Sequence, residues 1–301
     1  MISDPICVAP TGDVCGEGAV WHARHNAVYW TDINRFLIHR LNLADSSVLT
    51  WFFDEPVTAL SLTDREEVLV VVLGSRVILW EPATGLRHDP LYLLDGWPAT
   101  RLNDARCDPR GSLWIGSMRN NVNADGSSSE VGGNDGILVR LDPEAKATCW
   151  RRGVGISNTL AWSPDRRRFY FGDTLANVIW VYDYDPSTGE ISNERPFFQG
   201  FARGFPDGST MDSEGYLWNC RFYGNCIVRV APDGQIDRVV EMPVKNITTC
   251  TFGGGDLTTL FVTTATADAP RGDRLAGSLF SIQTEVKGQP ENCFHFYNRA
   301  K

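Results

Sequence analysis

A chain of 301 residues, 43% of them hydrophobic, is long enough to bury a substantial core and ordinary in composition for a water-soluble protein. Its net charge of −9 argues against gripping a nucleic-acid backbone, which demands basic surface. No apolar run approaches the roughly 18 residues of a membrane span, and the opening Met1-Ile2-Ser3-Asp4-Pro5 lacks the basic and apolar stretches of a secretory leader. The expectation is a cytoplasmic protein, monomeric or weakly self-associating, with neither a membrane nor a nucleic-acid partner. The eight cysteines are scattered singly with no Cys-x-x-Cys pair, as expected of buried reduced thiols. A disulfide is conceivable only for Cys220 and Cys226, which flank a turn.

In chain order, apolar and aromatic segments with strand-like alternation come in pairs: 27–31 with 37–43, 68–72 with 77–81, and 113–117 with 137–142. The series continues with 168–172 and 178–183, 216–220 and 227–230, and 259–263 and 278–282. A further strand runs ahead of each pair, as in Asn158-Thr159-Leu160-Ala161-Trp162, and ends in a turn such as Ser163-Pro164-Asp165. No long helical period interrupts them. Six such units, repeating every ~40–55 residues, predict an all-β, six-bladed β-propeller in one domain, 1–301. A sandwich or solenoid is the competing arrangement, and the Trp-Asp signature of WD40 blades does not recur. Two connections are long, 119–135 and 265–276, and both are expected to overhang the face on which the leading strands begin.

On that face four short polar residues recur at one offset. Glu17, Asn103, Asn158 and Asp207 each stand about ten residues ahead of a paired strand, with Thr58 and Thr249 at the equivalent offsets in the other two units. A propeller brings these positions to its axis. Buried carboxylates require a cation or strong donors, so two carboxylates and two amides converging there suggest a hard-metal site. The plainer alternative is that they cap turns or pair with Arg101 and Arg203. The donor chemistry suits one divalent ion, whether Ca²⁺, Mg²⁺, Mn²⁺, Fe²⁺ or Zn²⁺, and the absence of His and Cys at these offsets disfavours a closed structural zinc site. The His22-x-x-His25 spacing reads as surface loop. The glycine clusters at 132–133 and 253–255 do not lead from a strand into a helix, which argues against a nucleotide site.

The same residues carry a resemblance. Gly16-Glu17-Gly18-Ala19-Val20-Trp21, Arg101-Leu102-Asn103-Asp104-Ala105-Arg106-Cys107-Asp108-Pro109-Arg110-Gly111, Gly116-Ser117-Met118, Ser157-Asn158-Thr159-Leu160-Ala161-Trp162-Ser163-Pro164-Asp165 and Pro206-Asp207-Gly208 occur in order and at blade spacing. Over roughly residues 14–283 the chain resembles the SMP-30/gluconolactonase/luciferin-regenerating-enzyme-like family. The resemblance implies a six-bladed propeller holding one divalent metal and hydrolysing a sugar lactone. It implies Glu17, Asn158 and Asp207 as metal ligands, and Arg101 and Asn103 as holders of substrate hydroxyls, with Asn103 near enough to join the metal shell in some forms. Asn121 stands where some relatives carry Glu, and Thr159 and Ala105 replace glycines common in the pattern.

The implied reaction is opening of a pentono- or hexono-lactone to the aldonic acid. Asp207 is expected to serve also as general base toward water, while Arg101, Asn103 and Asn121 orient the polyol. A non-catalytic metal-binding propeller and a hydrolase of another ester class are the alternatives. The latter predicts a more apolar pocket.

Overall fold

The computed structural model describes residues 2–296, and its strands form six sheets, antiparallel but for one added strand, arranged as the blades of a β-propeller, with no helix among the described residues. Blade 1 comprises Gly16–His22, Ala27–Asp32, Leu37–Asn42 and Val48–Phe52, ordered from the axis outward. Blade 2 follows with Val57–Thr63, Leu69–Leu73, Arg76–Trp80 and Tyr92–Leu93, and blade 3 with Thr100–Cys107, Leu113–Arg119, Gly136–Leu141 and Ala147–Val154. Blade 4 is Ser157–Trp162, Arg168–Asp173, Val178–Tyr184 and Ile191–Gln199, and blade 5 is Phe205–Met211, Leu217–Phe222, Cys226–Val230 and Ile236–Glu241. Blade 6 takes Asn246–Gly253, Thr259–Ala265 and Leu279–Gln283 from the end of the chain and its outermost strand, Ile6–Ala9, from the beginning.

Strand sequences explain why blades stack. Leu69-Val70-Val71-Val72-Leu73 is apolar throughout and fully buried because both of its faces meet a neighbour. Leu69, Val71 and Leu73 pack toward blade 1, whereas Val70 and Val72 pack toward blade 3. Six buried clusters fill the six interfaces between neighbouring blades, so the core is a ring of wedges.

The lower face, where innermost strands end, is fastened by repeated polar pins. In Asp108-Pro-Arg-Gly-Ser-Leu-Trp114 and Asp212-Ser-Glu-Gly-Tyr-Leu-Trp218, the aspartate accepts two turn amides on one oxygen and the tryptophan Nε1–H on the other at 2.9 Å. At the upper end of blade 1, by contrast, Trp30 donates to Asp13 at 2.8 Å. A strap after blade 6 crosses this face: Gly288 bridges to Asp212, Glu291 pairs with Arg106 at 3.3 Å, and Cys293–Phe294 adds a parallel strand beside Leu62 and Thr63 of blade 2. Cys220 and Cys226 are both free thiols, so the hairpin disulfide does not form; they stand in register with Ile227 and Arg221 respectively, not with each other.

Candidate active site

Every innermost strand breaks register with its neighbour near the upper face. The irregularities fall between Glu17 and Val20, Val57 and Ala59, Leu102 and Ala105, Asn158 and Leu160, Pro206 and Ser209, and Ile247 and Cys250. A bulge re-aims side chains that strict alternation would send between the blades. The offset shared by the four polar residues is therefore a bulge repeated around the axis. At blade 1 it is made by Gly18 at φ 58°, where an added Cβ would stand 3.0 Å from Ala59 Cα. At blade 4 the residue with positive φ is Thr159, at 52°, the only β-branched residue in that region of φ among those described.

Glu17 and Asp207, from blades 1 and 5, meet in the structure with their carboxyls within hydrogen-bonding reach of each other. Both are buried, at 8% and 7% exposure. Burial, then the charge of Asp207 and of Asp104, pushes the Glu17 carboxyl well above its usual range; burial and the charge of Asp104 do the same to Asp207. Two like charges in one buried site favour a shared proton or a cation between them. Arg203 is not their counter-ion, because it pairs with Glu241 at 2.7 Å on the exterior.

The Asn158 amide has a fixed orientation. Thr174 Oγ1 donates to the Pro206 carbonyl at 2.7 Å and so must accept from Asn158 Nδ2 at 2.8 Å, which turns Asn158 Oδ1 away from Thr174 toward Asn103. Asn103 is turned the other way. Its Oδ1 accepts from Arg101 at 2.6 Å while its Nδ2 donates to the Ser157 carbonyl at 2.9 Å and to Asn158 Oδ1 at 3.2 Å. Its oxygen thus accepts from Arg101 with one lone pair.

Arg101 is buried, yet its partners are neutral: Asn121 Oδ1 at 3.1 and 2.9 Å, the Leu102 carbonyl at 3.0 Å, and Asn103. Burial lowers its pKa to about 10. Because Asn121 spends its oxygen on Arg101, its amide N–H groups remain to donate.

All six residues singled out in the sequence line one cavity of about 300 Å³ on the upper face. The loop after Arg119 reaches across it to blade 1, where Asn34 Nδ2 donates to the Gly126 carbonyl at 2.8 Å, and Val131 of that loop lines the cavity. The second long connection is tied to blade 5 by Tyr223, whose hydroxyl donates to Asp268 at 2.7 Å. Several contributors were not singled out in the sequence: Thr174, which orients Asn158; Cys15, a thiol that burial pushes up in pKa beside Glu17; and Asp104, whose carboxylate accepts the Ala105 and Thr159 amides. Asp104 adjoins Asn103 in a quoted motif, so position alone could have flagged it.

Among the described residues no group of three or more His, Cys, Asp and Glu side chains is placed to hold an ion, so a cation here would need amide and water oxygens beside the two carboxylates. The chemistry of that donor set fits a hard divalent ion.

Residues 15–266 match the family described as the SMP-30/gluconolactonase/LRE-like region. The chain is 33% identical to the pentonolactonase of Haloferax volcanii, over 94% of this chain and 96% of the relative. It is 34% identical to the L-arabinolactonase of Azospirillum brasilense, over 93% and 92%. Among solved structures, the calcium-binding protein regucalcin of Agrobacterium tumefaciens superimposes with a TM-score of 0.86 at 26% identity, covering 97% of each chain.

Proposed function

The chain belongs to the SMP-30/gluconolactonase/LRE-like family, and from that premise we propose that it is a divalent-metal-dependent lactonase that opens an aldonolactone, pentono or hexono, to the aldonic acid. The observation that carries the reading is the meeting of Glu17 and Asp207 at the bottom of a pocket whose other buried polar groups are an amide oxygen and the Arg101 cluster. Glu17, Asp207 and Asn158 Oδ1 would hold the cation. When bound, such an ion polarises a carbonyl and lowers the pKa of water.

The chain's own groups then divide the work. Asp207 takes a proton from the attacking water as its oxygen bonds to the lactone carbonyl carbon, and the proton passes to the ring oxygen as the ring C–O bond breaks. The guanidinium of Arg101 and the free N–H groups of Asn121 donate to substrate hydroxyls. Asn103 holds Arg101 in place and is itself braced on blade 4 through Ser157. The apolar walls, among them Ile33, Met118 and Ile156, limit the water around these polar groups and strengthen their interactions.

Metal analysis of purified protein, together with acid release from a panel of aldonolactones followed by pH indicator, tests the reading. The expected result is about one divalent ion per chain and metal-dependent turnover. No rate above buffer hydrolysis with any lactone and any of Ca²⁺, Mg²⁺, Mn²⁺, Fe²⁺ or Zn²⁺ would sink it.

A further inference from the structure

The pocket inverts the usual order of burial. Its polar residues at the axis are nearly inaccessible: Arg101 and Asn158 at 4%, Asp207 at 7%, Glu17 and Asn103 at 8%. Its most exposed lining residues are apolar or aromatic: Val131 at 45%, Leu175 at 43%, Phe205 at 42% and Tyr223 at 37%. Polar groups ordinarily occupy the outside and apolar groups the inside. Four exposed large hydrophobics around one opening are a patch, whereas the same residues scattered would need no explanation.

The mouth also offers little to a hydroxyl. The Tyr223 hydroxyl donates its proton to Asp268, and Thr174 Oγ1 donates to the Pro206 carbonyl while accepting from Asn158, so neither has a proton left for a substrate oxygen. With its carbonyl at Glu17 and Asp207 and its ring hydroxyls at Arg101 and Asn121, a lactone would have its exocyclic carbon toward the mouth, where Leu175 and Phe205 line the cavity. A terminal hydroxymethyl group there would lose part of its water without gaining a donor from the protein.

Resting on the lactonase reading, we infer that the preferred substrate is an aldonolactone whose hydroxyls stop short of its far end: a terminal-deoxy lactone, with a methyl where the common sugar lactones carry a hydroxymethyl group. The polar floor reads the ring, and the apolar mouth reads the end. The mouth residues remain partly open to solvent, so the discrimination is modest, about four- to tenfold in kcat/KM. The lower end is one buried methyl, and the upper end stays below the roughly 100-fold with which a closed apolar pocket rejects an added hydroxyl.

The test uses the full, metal-loaded chain and pairs of hexonolactones with their 6-deoxy counterparts, matched in configuration and ring size across several configurations. The deoxy member is expected to show the higher kcat/KM, mainly through a lower KM. Combining Leu175→Asn with Phe205→Ser, both at exposed positions, is expected to bring the ratio toward one. The matched open-chain acids should raise the melting temperature in the same rank order, a readout that needs no turnover. Hydrolysis of both members with the hydroxymethyl lactone equal or better overturns the inference and leaves the lactonase reading intact. A preference undiminished in the double variant overturns the role given to the mouth. No hydrolysis of any pair overturns this inference, and the lactonase reading falls with it only if the pentonolactones also go unhydrolysed.

Discussion

Two arginines in blade 5 sit at opposite ends of adjacent strands, in contrasting company. Arg229, at the lower end, is 7% exposed and meets three carboxylates: Asp212 at 2.7 Å, Glu214 at 2.7 Å and Asp237 at 2.9 Å. Its guanidinium also lies 3.7 Å from the centre of the Tyr216 ring. Arg221, at the upper end, is 1% exposed and meets only neutral acceptors: the amide oxygens of Asn219 and Asn177 and the carbonyls of Arg203 and Gly204. Burial lowers its pKa to about 10, whereas the carboxylates hold Arg229 firmly charged. The pattern extends around the ring. Below, Asp108 and Asp212 have both oxygens bonded, and above, Glu17 and Asp207 face each other while Arg101 is left to amides. The lower face satisfies its charges within the fold, whereas the axial cluster of the upper face is left for a ligand to complete.

The largest effect that bears on this contrast is at Asp207. Asp207→Ala should lower lactone turnover by about 10²–10⁴-fold, the range for loss of a general base, while the melting temperature falls little or rises, because one of two repelling carboxylates is gone. Near-normal turnover would remove Asp207 from the mechanism. Next is Arg229→Met, which strands the buried Asp212 carboxylate and should cost about 3–5 kcal/mol in denaturant unfolding. Arg221→Met strands no carboxylate and should cost less, about 1–3 kcal/mol, with the greater loss in activity. If the two variants unfold alike, the contrast fails.

Chelation sharpens it further. In metal-free protein the Glu17 and Asp207 carboxyls hold protons at pH values where the unfolded chain has released them. Stability from this source is full below the ordinary carboxylate range and is lost as pH rises through their raised values. The melting temperature of chelated protein should therefore decline on going from mildly acidic to neutral pH, and a divalent ion should flatten the decline. A pH-independent melting temperature in both forms would contradict the coupling.

The smallest expected effect is at Thr159. Its hydroxyl donates to the Asp207 carbonyl at 2.5 Å and lies 2.9 Å from Ser209 Oγ, offsetting a backbone conformation that costs a β-branched residue about 1–3 kcal/mol. Thr159→Gly should leave stability within about 1 kcal/mol and lower kcat a few-fold, with Thr159→Ser recovering part of the loss. An unchanged kcat in Thr159→Gly would show that the bridge to Asp207 is structural only.

The blades were legible because inner strands are buried on both faces and their apolar runs stand out. Their outermost strands were not: Ala147–Val154 and Ile191–Gln199 are largely exposed and carry no alternation to read. Ile6–Ala9 was equally hidden, since four residues give no sign that they complete a sheet begun at Asn246. At the site, the recurring offset marked which residues converge, because the repeat imposes the bulge. It was silent on which way each amide turns. That depends on hydrogen bonds between blades, such as Thr174 to Pro206, and on single hydroxyls whose partners are distant in sequence. The apolar mouth was missed for a similar reason, since Val131, Leu175, Phe205 and Tyr223 come from three blades and share no spacing.

The seam in blade 6 bears on how the protein comes into being. Ile6–Ala9 is translated more than 260 residues ahead of its partner Leu279–Gln283. Cys15, adjoining Glu17, bridges to Ala265 across the same junction. A nascent chain can stack its middle blades as they emerge from the ribosome, but blade 1 waits beside an open gap until blade 6 arrives. Ring closure is thus a late, long-range step of the kind that slows folding. Until it occurs the axial cluster around Glu17 and Asp207 is unfinished, so a half-made chain has no competent pocket.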